Sequence, residues 1–210
     1  IGRVDQVWEW LSKNHGDVLA VDAPHASIPE SYTYKQIAEL ISKVASGFES
    51  FGIGSGDVVA LFAENSPRWL VADQGLMRLG AADAVRGASA PVEELRYILE
   101  DSSAIALVIQ NSELWKNLSL DHEQLSRLKL VVQLEGDPID EDVIGWKSLV
   151  AAGVANTPSD LMVGRGPDSA ASTIATILYT SGTTGQPKGV PLSHANLLHQ
   201  MRSLACVANP

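Results

Sequence analysis

Short apolar runs of strand length recur along this chain, and helical segments separate the earlier ones. "DVVALFA" (Asp57–Ala63), "AIALVIQ" (Ala104–Gln110), "LKLVVQL" (Leu128–Leu134) and "TIATILY" (Thr173–Tyr179) are mostly continuous rather than alternating. That pattern suits strands buried on both faces. "AADAV" is a weaker strand between the first two. Strands that alternate with helices need helices on the faces of the sheet they form. The predicted fold class is therefore α/β, with a largely parallel sheet flanked by helices.

The helices carry their own punctuation. In "NSPRWLVADQGLMRLG", Ser66 is placed to cap, Pro67 sits at the first helical position and Gly80 ends the helix. "ASAPVEELRYILEDS" has Pro91 near its start and Val92, Leu95, Ile98 and Leu99 as one apolar face. Upstream, Thr33 and Gln36 have capping-box spacing. Ile37, Leu40, Ile41, Val44 and Phe48 then recur at helical spacing, and Gly52 suits the position after the helix. Residues 153–172 are rich in Gly, Ser, Pro and Asp and lack periodicity, so they read as a linker or long loop. The acidic run 135–142 reads as a solvated turn.

Composition closes off several function classes. The formal net charge is −10, which disfavours nucleic acid and anionic membranes as partners. One cysteine, Cys206, leaves no disulfide framework and no cysteine metal cluster. No apolar run approaches the roughly 20 residues of a transmembrane helix.

The stretch "ILYTSGTTGQPKGVPLSHANLLHQ" (Ile177–Gln200) is the least ordinary part of the chain. Thr180–Gly189 reads as a loop between a strand and a helix, with Ser193 the candidate N-cap and Leu197, Leu198, Met201 and Leu204 one helical face. Its glycines allow backbone N–H groups to approach an anion. Ser181, Thr183 and Thr184 add hydroxyl donors, and Lys188 adds a point positive charge suited to phosphate. A Walker A loop would need a second glycine where Pro187 stands and a metal-binding hydroxyl where Gly189 stands. The loop is of phosphate-binding type, but it is not that of P-loop kinases and GTPases. Taken without its fixed order, it would be no more than a flexible polar turn.

In that order, "YTSGTTGQPKGV" resembles the signature loop of the adenylate-forming superfamily, which includes acyl-CoA synthetases, coumarate ligases and the adenylation domains of peptide synthetases. "SHANLL" is similar to the stretch that follows the loop in that family, and residues 33–81 are similar to its N-terminal lobe. After Leu79–Ala81 many members continue "VxxPLNP"; here Arg86-Gly87 follow. That departure resembles the long-chain fatty acyl branch, and most of all its cyanobacterial and plastid enzymes.

The resemblance implies a two-step ligase. A fatty acid carboxylate attacks the α-phosphate of ATP, and the thiol of CoA or acyl carrier protein then displaces AMP. It implies that Thr180, Ser181, Gly182, Thr183, Thr184, Gly185 and Lys188 hold the β- and γ-phosphates. One of Thr183 and Thr184 would help to place Mg²⁺, and other metal contacts stay open. It divides the chain into an N-terminal α/β subdomain (1–152), the linker or loop (153–172) and the start of a phosphate-loop subdomain (173–210). The family's catalytic lysine, adenine pocket and acyl pocket match nothing before residue 210, so the chain is expected to be an N-terminal part with no catalytic residue of its own. The expected location is the bacterial cytoplasm or a plastid. The competing reading is an inactive piece that serves as a nucleotide-binding or interaction module.

Other residues carry less. His194 and His199 lie five positions apart, not at the i, i+4 spacing of a zinc helix, and His194 reads as a helix-start residue. Trp69 and Trp115 read as packing residues. Arg86 reads as a structural ion-pair partner before a substrate contact.

Overall fold

The computed structural model describes residues 1–155, 171–180 and 186–208. Helix α1 (Gln6–His15) leads into a separate antiparallel ribbon of β1 (Leu19–Ala23) and β2 (Glu30–Thr33). Helix α2 (Tyr34–Ser50) follows, then β3 (Val58–Phe62), α3 (Pro67–Leu79), β4 (Ala82–Arg86), α4 (Val92–Asp101) and β5 (Ala106–Ile109). The chain continues through α5 (Ser112–Leu118), α6 (His122–Arg127), β6 (Leu130–Gln133), β7 (Val143–Gly145) and α7 (Trp146–Ala155). Past residue 170 come β8 (Ile174–Thr180), β9 (Lys188–Ser193) and α8 (His194–Ala208).

The main sheet has seven strands in the order β7-β6-β5-β3-β4-β8-β9. All neighbours are parallel except β8 and β9 at one edge. The strand side chains alternate between two apolar layers. Val59 and Leu61 face α3 and α2, whereas Ala60 and Phe62 face α4 and α5. The same division holds in β5, with Ala106 and Val108 on one side and Leu107 and Ile109 on the other. Burial on both faces is why these strands are continuous apolar runs. The expected α/β class and each expected strand are present.

The helix ends follow the residues read from the sequence. Thr33 and Gln36 exchange side chain–backbone hydrogen bonds in a complete capping box at the start of α2. Ser66 accepts from the Trp69 amide at α3, and Gly80 closes that helix at φ +75. Helix α2 rests between α3 and α7, and glycines set both approaches. A Cβ on Gly75 of α3 would lie 3.1 Å from Val44, and one on Gly153 of α7 would lie 1.7 Å from the Lys43 carbonyl oxygen.

Gly153–Ala155, the first residues of the expected linker, are the last turn of α7, and 156–170 lie outside the described residues. β8 and β9 extend the same sheet as β3 to β7. Helices α3 and α4 leave consecutive strands toward opposite faces. In open α/β sheets that divergence opens a crevice at the carboxyl ends of the strands, where ligands bind. Parallel to β4, strand β8 delivers its own carboxyl end, Thr180, to that edge.

Candidate functional site

The phosphate-type stretch joins β8 and β9, which pair antiparallel as a β-hairpin. Thr180 ends β8 and Lys188 begins β9, and the two are direct cross-strand partners. Both side chains are exposed. Directly opposed residues place their Cβ atoms about 4.5–5.5 Å apart, so the hydroxyl and the ammonium share one face at the mouth of the turn. Lys188 forms no ion pair among the described residues. Ser181, Gly182, Thr183, Thr184 and Gly185 lie outside the described residues. The structure thus brings together Thr180 and Lys188 of the seven expected phosphate residues.

Helix α8 begins at His194, directly after the expected N-cap Ser193, and the residues just before it, Lys188–Ser193, form an edge strand that the sequence pattern did not show. Pro191 is compatible with this strand because β9 lies at the sheet edge, where a missing N–H breaks no ladder on the open side.

Buried contacts fix the hairpin. Tyr179 is buried beside the turn, and its hydroxyl donates to Asp101 Oδ2 at 2.8 Å. Tyr97 donates to the other oxygen of Asp101 at 3.2 Å. Burial, with the Asp101 carboxylate second, raises the Tyr179 phenol above its ordinary range, so it stays a donor. Gly189 is the cross-strand partner of Tyr179. A Cβ there would lie 3.0 Å from the Tyr179 ring and 3.1 Å from Ile177. The glycine that spoils a Walker A match is thus the one that lets the tyrosine ring lie across β9. Pro187, the other departure from that motif, is buried.

Beyond the hairpin, Ser193 caps α8 as the sequence suggests: its Oγ accepts from the Asn196 amide at 3.2 Å, and Asn196 Oδ1 accepts from the Ser193 amide at 3.0 Å. His194 is fully buried, and its Nδ1 accepts from the Val4 amide at 3.2 Å. Burial, then the nearby Arg3 guanidinium, pulls its pKa down to about 4, so the imidazole is neutral at pH 7. It ties the N-terminal segment to α8 and has no metal-binding company among the described residues.

Arg86, at the carboxyl end of β4, pairs with Glu94 at 2.7 Å. Glu64, in the β3–α3 loop, accepts from the Ser89 amide at 3.0 Å. These contacts order the neighbouring loops at the same sheet edge. Trp69 and Trp115 are half-buried, and Trp115 donates to Asp140 at 3.0 Å, which ties down the acidic turn. The sequence reading passed over two features of this region: the Tyr179–Asp101 anchor and a buried carboxyl pair, Asp73 with Asp83. The signal for the pair was present, because each aspartate interrupts an apolar stretch, "LVADQGLM" and "AADAV".

Residues 8–209 match the family "AMP-binding enzyme". The chain is 37% identical over 223 residues to "Probable acyl-activating enzyme 16, chloroplastic" of Arabidopsis thaliana, covering 96% of this chain and 30% of that protein. It is 34% identical to "Long-chain-fatty-acid--[acyl-carrier-protein] ligase AEE15, chloroplastic" of the same plant, covering 96% of this chain and 29% of that protein. Among solved structures, a long-chain-fatty-acid-CoA ligase (FadD1) from Archaeoglobus fulgidus superimposes with a TM-score of 0.77 at 27% identity, covering 96% of this chain and 38% of that one. The chain spans about 30% of the length of these two curated relatives. With the family match running over residues 8–209 and relatives above 30% identity along 96% of its length, the chain belongs to the AMP-binding enzyme family of adenylate-forming ligases.

Proposed function

We propose that this chain is the N-terminal part of an ATP-dependent long-chain fatty acid ligase. The full-length enzyme would join the fatty acid carboxylate to AMP, releasing pyrophosphate, and then pass the acyl group to the thiol of CoA or acyl carrier protein. The observation that carries the reading is the likeness to the plastid-type relatives along 96% of the chain.

In this reading Thr180–Gly185 and Lys188 hold the β- and γ-phosphates of ATP. Thr180 and Lys188 stand exposed and side by side at the carboxyl edge of the sheet, and a cation with no ion pair among the described residues, in a chain of net charge −10, is a natural place for an anion. Mg²⁺, when bound with ATP, neutralises phosphate charge; Thr183 or Thr184 is the candidate to help place it. The work of the hairpin is to hold the outer phosphates still, so that the α-phosphorus can be presented to the carboxylate. Tyr179, Asp101 and Gly189 keep the turn's two feet in register for that task. By itself this 210-residue chain is not expected to complete the reaction, because the relatives carry about three times its length.

The test is product identification. The full-length enzyme, given palmitate, ATP and Mg²⁺ with either CoA or acyl carrier protein, is expected to yield the acyl thioester, AMP and pyrophosphate. Release of ADP and phosphate without thioester would contradict the reading. The chloroplastic relatives fit a plastid, with the bacterial cytoplasm as the other expected setting. No described helix is long and apolar enough to cross a membrane.

A further inference from the structure

On the face of the sheet covered by α3, Asp83 of β4 is fully buried and Asp73 of α3 is 6% exposed. Asp83 lies in register between Val59 of β3 and Thr176 of β8. Its neighbours are the carboxyl of Asp73 and the hydroxyl of Thr176, yet neither of its oxygens receives a hydrogen bond of ordinary geometry from a protein N–H or O–H. Asp73 Oδ2 accepts from Gln74 Nε2 at 2.7 Å. Two carboxyl groups in contact cannot hydrogen-bond unless one of them carries a proton, and two bare carboxylates at that range repel strongly.

Among the described residues no cation forms an ion pair with either carboxyl. Arg3, on the N-terminal segment, spends Nε on Asp5 at 2.9 Å and donates Nη2 to the Met77 carbonyl. Arg78 acts on Asp5 and not on the pair. His194, from α8, is neutral. β3 contributes Val59, and α2 meets this part of α3 through Ile41, Val44 and Ala45. A cavity of about 330 Å³ lined by Trp69, Asp73, Gln74, Met77, Thr176 and Met201 gives protons a path to the Asp73 side.

We propose that Asp73 and Asp83 form a shared-proton site that clamps α3 to β4 beside β8 and makes the stability of this lobe fall as pH rises. The proton is the ligand and the clamp is the hydrogen bond it makes. Burial, and for Asp83 the facing Asp73 carboxyl, hold both groups above the ordinary carboxylate range. In the unfolded chain both aspartates release their protons near pH 4, whereas the folded pair keeps at least one. Stability from the site is therefore complete below about pH 4 and is lost as pH rises through the folded pair's own titration. Over that window the folding equilibrium falls about tenfold per pH unit for each extra proton held by the folded state. The inference does not depend on the ligase reading.

Two measurements on the full-length enzyme test it. Infrared spectra of the wild type at pH 7 in D₂O should show the C=O stretch of a protonated buried carboxylic acid, and Asp83→Asn should remove it. Thermal melts from pH 5 to 8 should fall more steeply with pH in the wild type than in Asp83→Asn, with Asp73→Asn as the second, independently folded variant. A wild type with no protonated carboxyl band at pH 7, or a variant whose melting point tracks pH as the wild type's does, would overturn the shared-proton site.

Discussion

Replacing Gly153 by alanine should displace a whole helix. Gly153 is in the last turn of α7, where the backbones of α7 and α2 touch. A Cβ there would sit 1.7 Å from the Lys43 carbonyl oxygen, 2.7 Å from its carbon and 2.9 Å from the Gly47 amide nitrogen. All three are backbone atoms, so no side chain can swing away. Raising the closest contact from 1.7 Å to 3.0 Å, the lower limit of real Cβ contacts, requires a withdrawal of 1.3 Å. That movement would unseat Leu149 and Trp146, which are buried in the layer beneath α2. Overpacking a well-filled contact costs about 1–3 kcal/mol, and an immovable neighbour puts this case at about 3 kcal/mol. For a domain of this size each kcal/mol lowers the melting temperature by about 2–4 °C. Melts followed by circular dichroism should therefore fall by roughly 6–12 °C. Val154→Ala, at an exposed neighbouring site, is the control and should change little. If Gly153→Ala melted within about 2 °C of the wild type, the backbone contact between α2 and α7 would be wrong.

Two further outcomes follow from buried groups. The folded His194 pKa of about 4 lies below its ordinary 6.5, so its contribution to stability is full above pH 6.5 and lost as pH falls toward 4. That loss amounts to about 3 kcal/mol at ~1.4 kcal/mol per pH unit; His194→Asn should abolish this part of the acid limb in pH-dependent denaturant melts, and an unchanged limb would refute the assignment. Tyr179→Phe removes the hydroxyl bonded to Asp101 and should cost about 1 kcal/mol, read as a shifted urea midpoint.

Much of this fold could be read from residue pattern because local and tertiary preferences coincide. Capping residues Thr33, Ser66 and Ser193 and the αL glycine Gly80 mark real helix ends. The two-sided burial of β3, β5 and β6 leaves an unmistakable apolar run. β9 was illegible for the opposite reason. Gly189 and Pro191 are breakers in isolation, and only the Tyr179 ring and the sheet edge make them suitable for a strand. β7, three residues long, is too short to show a period. The β1–β2 ribbon has no fully buried residue to give it an apolar signature, and α1 likewise buries nothing completely. At the site, the chemistry of Thr180 and Lys188 was legible, but their pairing across a hairpin was not. Register is set by contacts distant in sequence, here Tyr179 with Asp101. The Asp73–Asp83 pair was hidden for the same reason, since α3 and β4 place the two groups together only in the folded chain.

The central claim is that the β8–β9 hairpin holds the outer phosphates of ATP for fatty acid adenylation. Its most direct test is fatty-acid-dependent exchange of labelled pyrophosphate into ATP by the full-length enzyme and its Lys188→Ala variant. Lys188 is exposed and unpaired among the described residues, so its removal should leave the melting temperature unchanged. Loss of one charge-assisted contact to phosphate costs about 1.5–3 kcal/mol, roughly a tenfold to hundredfold fall in the exchange rate at subsaturating ATP. An equally stable variant that exchanges pyrophosphate at the wild-type rate would contradict the account.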